Sequence, residues 1–223
     1  MKLLALETAT DNCSVAVGNG DDIWVVETVA PRRHAELLLA MVDTALGRAG
    51  WNRNDLDAVA FGHGPGSFTG LRVAISTAQG IALGLNLPVV GVSTLAAMAQ
   101  VAAADHIAVA LDARLNQVYF GAYARDPEGL VTALTTDCVI DPETVGLPEG
   151  NRWMAVGPGW RAYPDALTKR LGSQLAGTET AALPSAREIL ILGRAAAGRG
   201  ELRSADAALP VYLRDKVVHQ RRT

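Results

Sequence analysis

LETATDNCSVAV, residues 6–17, returns in altered form as LDARLNQVYFGA, residues 111–122, and the architecture is read from this pair. In both copies an apolar run ends in Leu and an acid, Leu6-Glu7 and Leu111-Asp112. A short polar turn follows, carrying Asp11 and Asn12 in one copy and Asn116 and Gln117 in the other, and then a second apolar run begins. Short β-rich runs around turn residues read as hairpins. Two hairpins of one design predict two related lobes, dividing near Ala104 and Asp105 into residues 1–104 and 105–208, with a tail, 209–223, expected to fold back on the first lobe.

Working outward from the first copy, runs at 2–8, 13–17 and 23–29 give a three-stranded antiparallel meander that Pro31 ends. Helical periodicity follows at 34–48, a strand at 58–61, a helix at 68–85, a strand at 88–92 and a helix at 94–104. Strands alternating with helices indicate an α/β fold with a mixed sheet and helical crossovers. Beyond the second hairpin the pattern predicts strands at 130–140 and 153–156 and a helix at 186–197. The Pro and Gly punctuation of 141–150 marks a surface loop.

Composition narrows the function classes. The 223 residues are 49% hydrophobic, enough for a sizeable core. Twenty Lys and Arg against 23 Asp and Glu give a net charge of -3, without the clustered positive field of a tight nucleic-acid binder. RNA contact, if any, is expected to be indirect. Cys13 and Cys138 match neither a disulfide framework nor a zinc spacing. Glu7 interrupts the apolar N-terminus, and no stretch approaches the ~20 apolar residues of a membrane span. A cytoplasmic protein without membrane contact is expected.

The segment GHGPGSFTG, residues 62–70, joins a predicted strand to a predicted helix. It lacks the Lys of a Walker A loop, its Gly64, Gly66 and Gly70 are spaced too widely for a dinucleotide loop, and Ser67 lacks the flanking glycines of a hydrolase elbow. A tight turn with Ser67 capping the helix is the first reading. An anion site on the backbone amides is the second.

In the helix from Phe68, Leu71, Ile75 and Leu85 share an apolar face and Arg72, Ser76 and Gln79 a polar one. A third face is small: Gly70, Val73, Ala74, Thr77, Gly80, Ile81 and Gly84. Each interior glycine costs roughly 1 kcal/mol relative to Ala, so close approach of another backbone is the expected return. In the helix before it, Leu37, Leu38, Leu39, Met41, Val42, Ala45 and Leu46 span an arc wider than one core needs. A partner chain is therefore expected on these two helices, at Leu37, Leu38, Met41, Val42, Ala45, Gly70, Ala74, Thr77, Ala78 and Ile81. Ala74→Trp, or Leu38→Glu with Met41→Glu, is expected to abolish pairing and leave the fold intact.

Catalytic signals are thin. His34, His63, His106 and His219 include no i, i+4 metal pair. His63 could act as a base, although a supporting loop histidine is the plainer reading. Glu7 and Asp112 end equivalent strands and are expected to face each other across a cleft, where paired carboxylates could hold a nucleotide-bound cation. That gives an alternative function, a nucleotide-dependent phosphotransferase or ATPase.

The stretches LALETATDNCSVAV, RRHAELLL, GHGPGSFTGLRVAIS, PVVGVSTL, LDARLNQVYFG and PVYLR, in this order along nearly the whole chain, closely resemble the TsaB (YeaZ) family. The resemblance implies the actin-like ATPase fold of sugar kinases and Hsp70, built from two ribonuclease-H-like lobes. It further implies a non-catalytic subunit in the making of N6-threonylcarbamoyladenosine beside the anticodon of tRNAs that read codons beginning with A. Such a subunit pairs with a catalytic TsaD-like paralogue, in a complex joined by a TsaE-like ATPase, and its apolar patch makes a homodimer the expected state when alone. The paralogue's metal-binding HxxxH aligns with Thr94 and Met98, which suit no such metal. No cofactor is expected. Glu7 stands where relatives commonly have Asp.

Overall fold

The computed structural model describes residues 1–150 and 152–214. The basic residues Lys216, Arg221 and Arg222 lie outside the described residues, as does His219.

The first sheet begins with β1 (Leu3–Glu7), β2 (Asn12–Asn19) and β3 (Asp22–Val29), an antiparallel meander. Helix α1 (His34–Ala49) follows, ending at Gly50 in a left-handed conformation. Then come β4 (Ala58–Gly64), α2 (Phe68–Leu85) and β5 (Val89–Ser93), with β1, β4 and β5 parallel. Helix α3 (Thr94–Val101) is shorter than the periodicity suggests. The second sheet comprises β6 (His106–Arg114), β7 (Gln117–Arg125), β8 (Val131–Ala133), β9 (Cys138–Ile140), β10 (Trp153–Val156) and, after helices α4 (Gly159–Ala162) and α5 (Pro164–Leu171), β11 (Leu175–Glu179). Helix α6 (Ala186–Gly198) closes the regular structure.

The spatial orders are β3-β2-β1-β4-β5 and β8-β7-β6-β10-β11, with β9 also on β7. Each sheet is thus an antiparallel meander extended, beyond its first strand, by two parallel strands in succession, and the echoed hairpins occupy the same place in both. This double arrangement is the actin-like fold implied by the sequence.

The predicted strand at 130–140 is two short strands. Both pair β7, but the chain leaves the ladder at 134–137, where the Thr135 hydroxyl takes the Ala122 amide. The polar run Thr135-Thr136-Asp137 competes with the ladder through its own side chains. Helices α4 and α5 and strand β11 lie where no element was expected, because their apolar periods are short and broken by Gly and Pro.

Strands β1 to β5 make the first sheet and β6 to β11 the second, but two helices do not follow that division. Helix α3 precedes the division and buries Leu95, Met98 and Ala99 against the second sheet, beside Ile107, Val109 and Tyr123. Helix α6 lies in the 105–208 segment yet buries Ile189 and Leu190 on the first, beside Leu3, Ala60 and Val90. The exchange fastens the two sheets together.

Arg125 ends α3. Its guanidinium donates to the carbonyls of Ala99, Gln100, Ala102, Ala104 and Gly129, filling acceptors that a helix C-terminus leaves open. Arg125→Met is expected to cost about 2 kcal/mol, read from urea unfolding.

Candidate functional site

The segment from Gly62 to Gly70 uses its glycines against its own chain. Ser67 N–H donates to the Ala9 carbonyl at 2.7 Å, and Thr8 Oγ1 donates to the Gly70 carbonyl at 2.7 Å. A β-carbon at Gly66 or Gly70 would collide with the backbone carbonyls of Ala9 and Thr8. Ser67 Oγ accepts from Gly70 N–H at 3.3 Å and so caps α2. The Ser67 amide, Gly66 and Gly70 are committed to the first hairpin, and the Gly70 amide to the cap, which supports the turn-and-cap reading.

The carboxylates expected to face each other are engaged separately. Glu7 has no exposed surface. It accepts from Ala9 N–H at 2.5 Å and from Thr94 Oγ1 at 3.2 Å, and it fills the space over Gly62. Desolvation raises its pKa to about 7, against the smaller opposing effect of these hydrogen bonds. Asp112 accepts from Arg114 N–H and Tyr163 Oη and pairs with the Arg114 guanidinium at 3.1 Å. A cation between Glu7 and Asp112 would need Glu7 to reach solvent, and burial prevents it.

Between the sheets, Asp137 accepts from Ser93 Oγ at 2.5 Å and from Tyr123 Oη. Ser93 Oγ in turn caps α3 by accepting from Leu95 and Ala96 N–H. Burial, then the neighbouring Asp137 charge, holds the Tyr123 hydroxyl far above its usual range. Burial pushes His63 down, so it stays neutral, and its Nδ1 finds no partner among the described residues. Ser93, Tyr123 and Asp137 carry no motif, and only the bulge at 134–137 brings them together. His63 lies in β4 near its end, not in the loop that was expected.

The expected docking residues divide in two. Leu38, Met41, Val42, Ala45, Gly70, Ala74 and Ala78 are buried, and all but Gly70 belong to the core under the first sheet. Leu37, Thr77 and Ile81 are half-buried. The wide apolar arc of α1 is spent on β2, β3 and α2, which the helix periodicity alone does not reveal. Leu39 escapes, 59% exposed. Substitutions at Ala74, Leu38 and Met41 therefore strike the core and do not leave the fold intact.

What remains open is a groove of about 580 Å³ between α1 and α2, lined by Leu39, Thr77, Gly80, Ile81, Gly84 and Leu85 among others. A β-carbon at Gly80 or Gly84 would meet nothing within 4 Å. These two glycines are not approached by any other described element, unlike Gly70. The Arg53–Asp43 ion pair, both members half-exposed or more, stands at the rim. The signal was present in the sequence as glycines at an i, i+4 interval.

A protein of Escherichia coli described as "tRNA threonylcarbamoyladenosine biosynthesis protein TsaB" is 40% identical over 97% of this chain and 96% of its own length. The chain belongs to the TsaB family. A Haemophilus influenzae TsaB is 36% identical over 97% of the chain and 95% of its own length. The solved structure of YeaZ from Pseudomonas aeruginosa superposes with a TM-score of 0.90 at 40% identity, over 95% of this chain and 99% of that one. The family model "TsaD: tRNA N6-adenosine threonylcarbamoyltransferase" matches residues 24–221.

In this TsaB-family chain Thr94 and Met98, the residues expected in place of the paralogue's HxxxH, are both fully buried. Thr94 donates to Glu7, and Met98 lies in the core under the second sheet. A hydroxyl held by a carboxylate and a thioether in an apolar cluster do not fit a catalytic metal. No cluster of three or more His, Cys, Asp or Glu able to hold a metal occurs among the described residues. No described helix is long and apolar enough to cross a membrane.

Proposed function

We propose that this chain is the non-catalytic subunit of a complex that makes N6-threonylcarbamoyladenosine next to the anticodon of tRNAs, and that its α1–α2 groove receives the catalytic TsaD-like subunit. The observation that carries the reading is the open groove with a glycine floor, in a chain 40% identical to a TsaB. Two glycines in a helix interior cost roughly 2 kcal/mol together, and a partner backbone seated against them supplies the compensation that this chain lacks.

The accessible part of the surface is Leu37, Leu39, Thr77, Gly80, Ile81 and Gly84, with Leu38, Met41, Val42, Ala45, Gly70, Ala74 and Ala78 forming the layer beneath. The chain alone would pair through the same face with a second copy. A TsaE-like ATPase joins the pair, tRNA contact comes mainly through the partner, and the complex works in the cytoplasm. The buried Glu7 weighs against the phosphotransferase alternative, since a nucleotide-bound cation would have no access to it.

Gly80→Leu is the discriminating variant, because its β-carbon meets no described residue within 4 Å and its side chain occupies the groove. It should weaken pairing with the TsaD-like protein at least tenfold, about 1.4 kcal/mol, with a melting temperature no lower than wild type, since a helix glycine is removed. Wild-type pairing of this variant in analytical ultracentrifugation would remove the groove from the interface. An assay for the modified adenosine with this chain omitted tests the wider reading.

A further inference from the structure

Residues 211–214 touch both sheets. Val211 N–H donates to the His63 carbonyl at 2.8 Å, and its own carbonyl occupies the space a β-carbon at Gly64 would need. Tyr212 lies on Phe68 with ring centres 5.6 Å apart, and the Arg72 guanidinium sits 3.4 Å from the centre of the Phe68 ring. All of these contacts fall on the end of β4 and the first turns of α2. Two residues further on, Arg214 Nη2 donates to Gln117 Oε1 at 2.8 Å and to the Ala113 carbonyl at 3.1 Å, with the Arg114 carbonyl at 3.4 Å. Those acceptors belong to the β6–β7 turn of the other sheet.

The turn that Arg214 holds is the less favourable half of the echoed pair. Arg114, Leu115 and Asn116 all adopt positive φ, at 62°, 52° and 57°, a conformation that L-residues avoid and that a surrounding structure must hold in place. The segment that supplies the hold is itself lightly covered, with Leu209 65%, Val211 41% and Tyr212 43% exposed. Segments with few buried contacts open at low cost.

We infer that residues 211–214 form a releasable clamp that ties the end of β4 and the start of α2 to the β6–β7 turn of the second sheet. Phe68 opens α2, and α2 is one wall of the groove. The clamp therefore couples the second sheet to that wall. Release frees both anchor points together, because the four residues between them are the shared element.

Hydrogen exchange by mass spectrometry on the full chain tests this, with Arg214→Ala and Phe68→Ala as reciprocal variants and melting temperature as control. Arg214→Ala should speed exchange at least tenfold both at 111–119, where its contacts lie, and across the gap at 61–67. Phe68→Ala should do the same in the opposite direction, with melting temperatures close to wild type. Acceleration confined to the segment that lost its own contact overturns the clamp, as does no acceleration. Uniform acceleration along the chain with a lowered melting temperature overturns it too, since the contacts would then belong to global stability alone.

Discussion

Leu38→Glu combined with Met41→Glu is expected to leave no cooperatively folded protein at 25 °C. Leu38 is 1% and Met41 8% exposed, in the cluster that also holds Cys13, whose thiol lies 3.6 Å from the Met41 sulfur. Each substitution removes about 2–3 kcal/mol of apolar burial and adds a carboxylate with no partner, costing several kcal/mol more unless it protonates. Two such losses together, about 10 kcal/mol or more, are as large as the 5–15 kcal/mol that holds a typical domain together. A flat near-ultraviolet circular dichroism spectrum and no urea transition are the expected readings. Ala74→Trp, fully buried under the first sheet, acts the same way through overpacking. A native spectrum with a normal transition in the double variant would show that α1 is not seated as described. Leu39→Glu, on the open side of the same helix, should change stability by no more than about 0.5 kcal/mol. Loss of pairing is diagnostic only in variants of this second kind.

Glu7→Gln should stabilise the protein by up to about 3 kcal/mol at pH 8 and by almost nothing at pH 4. The Glu7 carboxyl is raised from 4.5 to about 7, chiefly by burial. Between those values the folded state holds a proton that the unfolded state has released, so stability falls as pH rises through this window and levels off above about 7. A shift of that size is worth about 3 kcal/mol at 1.36 kcal/mol per unit. The amide keeps the acceptor for Ala9 N–H and can donate to Thr94 Oγ1 in place of a protonated acid. Urea titrations of both proteins at pH 4, 6 and 8 should converge at the acid end. Parallel curves at all three values would mean that Glu7 titrates normally.

The same residue shows how far the sequence can be read. Its position closing an apolar strand is plain, as is that of Asp112, and the two strands do hold equivalent places in their sheets. A carboxylate at such a strand end suggests a cleft ligand only if water can reach it. Exposure depends on what the β4–α2 loop and α3 lay over it, and neither follows from local pattern. The glycines of α2 teach a similar lesson. Gly70 is approached by Thr8, whereas Gly80 and Gly84 face an open groove, although all three fall on what the periodicity presents as one face.

By itself the sequence determined the double-hairpin plan, the boundaries of α1 and α2, the cap at Ser67 and the family, because each rests on a period, a turn residue or a motif within a few positions. Tertiary structure alone decided which sheet α3 and α6 cover, that Glu7 is sealed, that Asp137 meets Ser93 and Tyr123, and which part of the two docking helices stays open. The physical reason is that an apolar face states only that something will cover it. What covers it is settled by packing between segments far apart in the chain, where burial is non-directional and only the assembled geometry chooses the neighbour.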